Sequence, residues 1–122
     1  MRKQIMALFT CTALALPFSS FADEVEHFEG RKSANLKEAV ANFSEYNKKL
    51  EKILDGELTP EAMNEIHQLT YTLENALGVI NEEFNGLAVT LEEVHLASES
   101  ADIQGVTNYG ETYLETSRTV IE

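Results

Sequence analysis

The sequence predicts an all-α fold, an elongated helical hairpin or bundle in which one long central helix is covered by two shorter ones. Three observations carry that prediction. Apolar residues from Asn35 onward recur at three- and four-residue steps, each such run opens on a side chain suited to capping, and only two prolines and six glycines occur in 122 residues.

The first helix spans residues 36–55. Leu36, Ala39, Val40, Phe43, Tyr46, Leu50, Ile53 and Leu54 fall on one stripe of a 3.6-residue period. Asn35 followed by Glu38 has the spacing of a capping box. Asp55-Gly56 closes the helix, glycine being the residue that most readily takes the left-handed conformation of a last turn. The next helix opens at Thr59-Pro60-Glu61. Threonine accepts orphan backbone amides, proline needs no donor at the first position, and glutamate faces the positive end of the dipole.

That second helix spans residues 60–98. Alternate steps of three and four from Met63 give Ile66, Thr70, Leu73, Leu77, Ile80, Phe84, Leu87, Leu91, Val94 and Ser98, and the phase never slips at Gly78 or at Asn85-Gly86. One unbroken helix on the order of 58 Å long follows from a rise of about 1.5 Å per residue. A seven-residue repeat kept this long also predicts left-handed supercoiling around a partner. The rival arrangement turns at Asn85-Gly86 into a monomeric four-helix bundle, whose Leu87–Ser98 helix would be unusually short. Asp102 caps a third helix, residues 103–121, with Ile103, Val106, Tyr109, Tyr113, Val120 and Ile121 on its stripe. Gly105, Gly110 and four threonines make it the weakest, fraying toward Glu122. Two short helices together match the long one in length, so each covers one half. A layer two helices thick leaves an apolar stripe uncovered, from which a homodimer, antiparallel in the simplest case, is expected.

The chain ahead of the helices divides in two. Met1–Lys3 is cationic, Ile5–Phe18 is mostly apolar, and Ser20-Phe21-Ala22 has small residues where a signal peptidase reads, so residues 1–22 are expected to be a cleavable export signal. The stretch is too short for a membrane anchor. Residues 23–34 are expected to be an extended, mobile lead-in, and residues 35–122 a single helical domain. The sole cysteine, Cys11, lies in the signal; its loss on cleavage would remove disulfides, thiolate metal sites and cysteine nucleophiles. A bacterial periplasm suits such a chain.

Twenty-one acidic residues face nine basic ones, two of them in the signal, so cleavage leaves 7 − 21 = −14. Nucleic acid and anionic membrane surfaces are excluded as partners by that balance. Thirteen acids and no lysine or arginine lie between Ile53 and Ser117, whereas Arg31, Lys32, Lys37, Lys48, Lys49 and Lys52 cluster earlier. A solvated acidic face accounts for the run; a docking surface for a basic protein partner, or a collector of divalent cations, is the sharper reading. The lysines of the first helix are also placed to pair with the acidic second helix.

The chemistry-bearing candidates are three histidines. His95 stands one turn from both Glu92 and Glu99, and Glu92-Glu93-Val94-His95 has the Glu-x-x-His spacing of carboxylate-bridged metal bundles, which makes His95, Glu92 and Glu99 the candidate metal ligands. The full pattern needs a second such motif, and Asn64 stands at that position before His67. His67 and His95 are 28 residues apart, about 42 Å along a straight helix, so one ion cannot join them within a chain. Haem would need a ligand from another helix or subunit, since Met63 and His67 face the same way. His27 has no ligand set around it. Hydrolase, metalloprotease, phosphate-loop and calcium-loop motifs are missing, so no enzymatic activity and no cofactor are expected.

The stretches EVEHFEG (Glu24 to Gly30), IHQLTYTLENAL (Ile66 to Leu77) and LEEVHLASE (Leu91 to Glu99) resemble a family of small exported proteins from Gram-negative, often marine, bacteria with no assigned function. The resemblance implies a periplasmic helical protein and supplies no mechanism. The function read from the residues is an exported, acidic, non-enzymatic interaction or binding protein. Its alternative is a metal- or haem-binding bundle using His67, His95 and nearby glutamates.

Overall fold

A computed structural model of the protein describes residues 28–121. The expected export signal with Cys11, and residues 23–27 of the lead-in with His27, lie outside the described residues.

The fold is all-α, with helices α1 (Leu36–Leu54), α2 (Pro60–Glu99) and α3 (Ile103–Arg118). Helix α2 runs unbroken for 40 residues. It passes through Gly78 and Asn85-Gly86 without a turn, so the four-helix alternative does not form. Each start is capped by the side chain expected of it. Asn35 Oδ1 accepts from the Glu38 amide at 3.0 Å, Thr59 Oγ1 from Ala62 at 3.2 Å and Asp102 Oδ1 from Gly105 at 3.0 Å. Glu38 reaches back to the Ala34 amide at 2.9 Å, one residue before the cap, a shifted version of the capping box.

The helix ends depart from expectation. Gly56 is not in the left-handed region; the Asp55 and Gly56 amides instead donate to Glu51 and Ile53, tightening the last turn of α1. The left-handed residue is Ala101, at φ 55°, just past the end of α2. There Asp102 N–H donates to the Ala97 carbonyl at 2.9 Å and Ala101 N–H to Ser98 at 3.2 Å, the paired bonds of a Schellman closure with alanine where glycine is usual. Asp102 thus completes α2 and caps α3 at once, which is why the connection is so short. Helix α3 ends three residues before the expected Ile121.

Helices α1 and α3 both pack on α2, and among the described residues these are the only helix pairs in contact. Short connections make each antiparallel to α2. The start of α1 and the end of α3 therefore both reach the middle of α2, where Leu36, Lys37, Glu83, Glu115 and Thr119 line one shallow cleft between them. The core is thin: Leu36, Ala39, Leu69, Leu73, Ala76, Leu87 and Ala97 are its buried apolar members, and three of the seven are alanine. Buried Gly105 lets α3 approach α2, since a Cβ there would lie 3.0 Å from that of Ala97. No ion pair joins α1 to α2 among the described residues. The expected lysine pairing is corrected by Lys49, which bonds Glu45 on its own helix at 2.7 Å.

Candidate functional site

Residues 28–34 form an extended strap laid along one side of the α1–α2 groove. The expectation of a mobile lead-in takes in this segment, yet its backbone is bonded to both helices. Arg31 N–H donates to Thr72 Oγ1 at 2.9 Å, and the Asn75 amide nitrogen donates to the Glu29 and Arg31 carbonyls at 3.0 and 3.2 Å. Among the described residues Thr72 is the largest fully buried side chain, so its hydroxyl is a well-shielded acceptor. Buried Asn42 donates to Ser33 Oγ at 3.0 Å and accepts from Arg31 Nη1 at 3.2 Å. Gly30 makes the close approach possible. At φ 69° it sits against the backbone of α2, where a Cβ would meet Thr72 N at 2.7 Å. The only sequence signal for this anchor is Gly30 itself; its partners Thr72 and Asn75 lie more than 40 residues away and carry no local mark.

Arg31 and Lys49 converge on Glu45, at 3.0 and 2.7 Å, and flank the Tyr46 ring at 5.3 and 4.1 Å from its centroid. The hydrogen bond from Lys49, and then that from Arg31, hold the Glu45 carboxyl below its ordinary value. The same bond raises Lys49. All three groups are exposed enough for water to screen them, so the cluster orients the strap more than it stabilises the fold. Beside it Phe28, Tyr46, Lys49, Glu65, Gln68 and Leu69 line a shallow cleft of about 180 Å³.

The histidines lie apart. His67 Nε2 is 3.4 Å from the Tyr71 hydroxyl, with the rings edge to face at 5.2 Å, and Phe28 tilts onto the same tyrosine at 6.2 Å. His95 Nε2 is 3.2 Å from Glu99 Oε1, with both side chains more than half exposed. Of the candidate metal ligands the structure therefore brings His95 and Glu99 together, while Glu92 makes no bond to either. Among the described residues no three His, Cys, Asp or Glu side chains are placed to hold a metal ion.

The expected seam of α2 is split lengthwise. One line of the seven-residue repeat turns toward α1 and α3, burying Leu73 and Leu87 and half-burying Ile66, Ile80 and Val94. The other points outward: Met63 is 54% exposed, Leu77 40%, Phe84 38% and Leu91 46%. Two covering helices subtend only part of the wide stripe that such a repeat presents. The outward line lies on the edge of the groove opposite the strap, by the turn of about 100° per residue. Outside α2, Leu54, Leu114 and Ile121 are each at least 43% exposed.

Over residues 1–122 the chain matches the family described as Family of unknown function (DUF6746). No curated protein and no solved structure matches the chain.

Proposed function

For a chain that belongs to this family of unknown function, we propose a role as an exported, acidic, non-enzymatic interaction protein of the bacterial periplasm. The observation that carries the reading is the exposed apolar line of α2, Met63, Leu77, Phe84 and Leu91. Apolar residues repeated along one edge of a helix are the usual mark of a helix-to-helix interface, where they become buried on association. The acids of α2 and α3 supply a second property. They keep the remaining surface soluble and favour partners that are neutral or basic at their point of contact. No helix among the described residues is long and apolar enough to cross a membrane, so the apolar line is not part of a span of that kind.

The alternative, a metal- or haem-binding bundle, draws on the His95–Glu99 pair at 3.2 Å. It needs ligands beyond the two that one helix supplies. Elemental analysis and an absorption spectrum of protein purified from the cells that make it test the choice. The proposed role expects neither stoichiometric transition metal nor a Soret band, and either would overturn it. Intact-mass measurement of the same sample tests export, with the expected chain beginning at Asp23.

A further inference from the structure

We infer that the partner of the outward edge of α2 is a second copy of this chain, laid antiparallel about a two-fold axis that passes near the middle of the helix. The inference rests on the interaction role proposed above and names its partner.

The first support is the charge on that edge. It consists of the line Met63, Thr70, Leu77, Phe84, Leu91 and Ser98 and the adjoining line His67, Glu74, Asn81, Ala88 and His95. Helix α2 holds eight glutamates and no lysine or arginine, yet Glu74 is the only one of the eight on these eleven positions. A solvated face has no reason to exclude charge so strictly; a face that becomes buried does.

The second support is register. The edge is symmetric about the middle of α2, so reversing one copy sets Leu77 against Phe84, Thr70 against Leu91 and Met63 against Ser98 of the other, with the helix ends nearly flush. On the adjoining line, within half a residue of the same register, Glu74 faces Ala88, His67 faces His95, and Asn81 lies beside its own copy at the axis. A parallel, in-register pairing would instead place Glu74 on Glu74. Like charges directly opposed are unfavourable, so this one residue favours the antiparallel orientation.

The third support is the distribution of charge between the short helices. Helix α1 carries Lys37, Lys48, Lys49 and Lys52 against three glutamates, and α3 carries Glu111 and Glu115 against Arg118. Reversal lays the net-positive α1 of one copy over the net-negative α3 of the other. Each end of the pair then has α1 and α2 from one chain with α2 and α3 from the other, the cross-section of a four-helix bundle. Both lines of the seven-residue repeat are then inside, which accounts for a repeat wider than one chain can cover.

Sedimentation equilibrium on the full chain, with Cys11→Ser to leave no native thiol, is expected to give the mass of two chains at micromolar concentration. Leu77→Gln and Phe84→Gln, made separately so that a misfolded variant does not decide the matter, should each weaken the pair at least about tenfold while circular dichroism stays helical. Gly78→Gln, off this edge, should leave it intact. Orientation is read by cross-linking with a short bis-maleimide. A mixture of His67→Cys and His95→Cys chains should join far more efficiently than either alone. A strict monomer at high micromolar concentration overturns the inference, as does preferential joining of His67→Cys to itself. A monomer that also lacks metal and haem would remove the second copy while leaving an interaction with another protein standing; a metal-loaded sample would remove that broader reading.

Discussion

Replacing Gly30 by alanine tests whether the strap is an integral part of the fold. Left-handed backbone costs a residue with a Cβ about 1–2 kcal/mol. The added carbon would also lie 2.7 Å from Thr72 N, 2.8 Å from the Tyr71 carbonyl carbon and 2.9 Å from Tyr71 Cβ, and two of those three are backbone atoms of α2 that cannot swing aside. The clash is relieved only if the strap lifts. Lifting breaks the Arg31 bond to Thr72 and both bonds from Asn75, each worth about 1 kcal/mol net after water replaces the lost partners. The chain takes the cheaper course, so the expected loss is about 2–3 kcal/mol, or roughly 10 °C in Tm for a domain of this size. Thermal unfolding at a fixed protein concentration gives the magnitude, and amide hydrogen exchange gives the mechanism. Protection of the Arg31 amide should fall well beyond the change at Leu87. A variant whose Tm moves by less than about 2 °C, with Arg31 as protected as before, would refute the reasoning.

Other expectations follow from single sites. Ala101→Gly should stabilise the chain by about 1 kcal/mol, because the φ of 55° at the end of α2 suits glycine and the Schellman bonds are backbone bonds that need no side chain; a fall in Tm would refute it. Gly78→Ala and Gly86→Ala should each stabilise by roughly 1 kcal/mol through helix propensity, since a Cβ at either site meets nothing within 4 Å, and chemical denaturation of the single and double variants checks that the gains add. Glu45 is lowered in the folded state, so its hold on Arg31 is complete above the ordinary value of 4.5 and is lost as pH falls through the lowered one. Strap amide protection, measured against pH, should drop in that acidic window, and Glu45→Gln should show the weakened strap already at neutral pH. At protein concentrations low enough to keep the chain monomeric, His95→Ala should leave stability nearly unchanged, because its pair with Glu99 is then more than half exposed; a loss above about 1 kcal/mol would mean that the pair does more than surface electrostatics allows.

The helices were legible in the residues because their causes are local. A cap bonds an amide three positions away, as Asn35, Thr59 and Asp102 do, and an apolar repeat declares its own period. The continuity of α2 through Asn85-Gly86 belongs to the same class, since an unbroken phase outweighs the roughly 1 kcal/mol cost of an interior glycine. The histidine spacing was equally local: the structure sets His95 3.2 Å from Glu99, and Glu92 makes no bond to either.

Whatever depended on distance along the chain was hidden. Arg31 and Thr72 are 41 residues apart and Glu29 and Asn75 are 46, so nothing near the strap announced that α2 would supply its acceptors and donors. The left-handed residue fell at Ala101 and not Gly56, because the geometry of the short α2–α3 connection, and not residue preference, decides where the backbone must reverse. The apolar repeat of α2 is written in its sequence, but which half of it is covered is not. That division was set when α1 and α3 settled on one side of α2 and the strap filled the groove beside them, leaving Met63, Leu77, Phe84 and Leu91 facing out. Local bonding determines where a chain is helical; only the mutual packing of those helices determines what remains exposed for something else to bind.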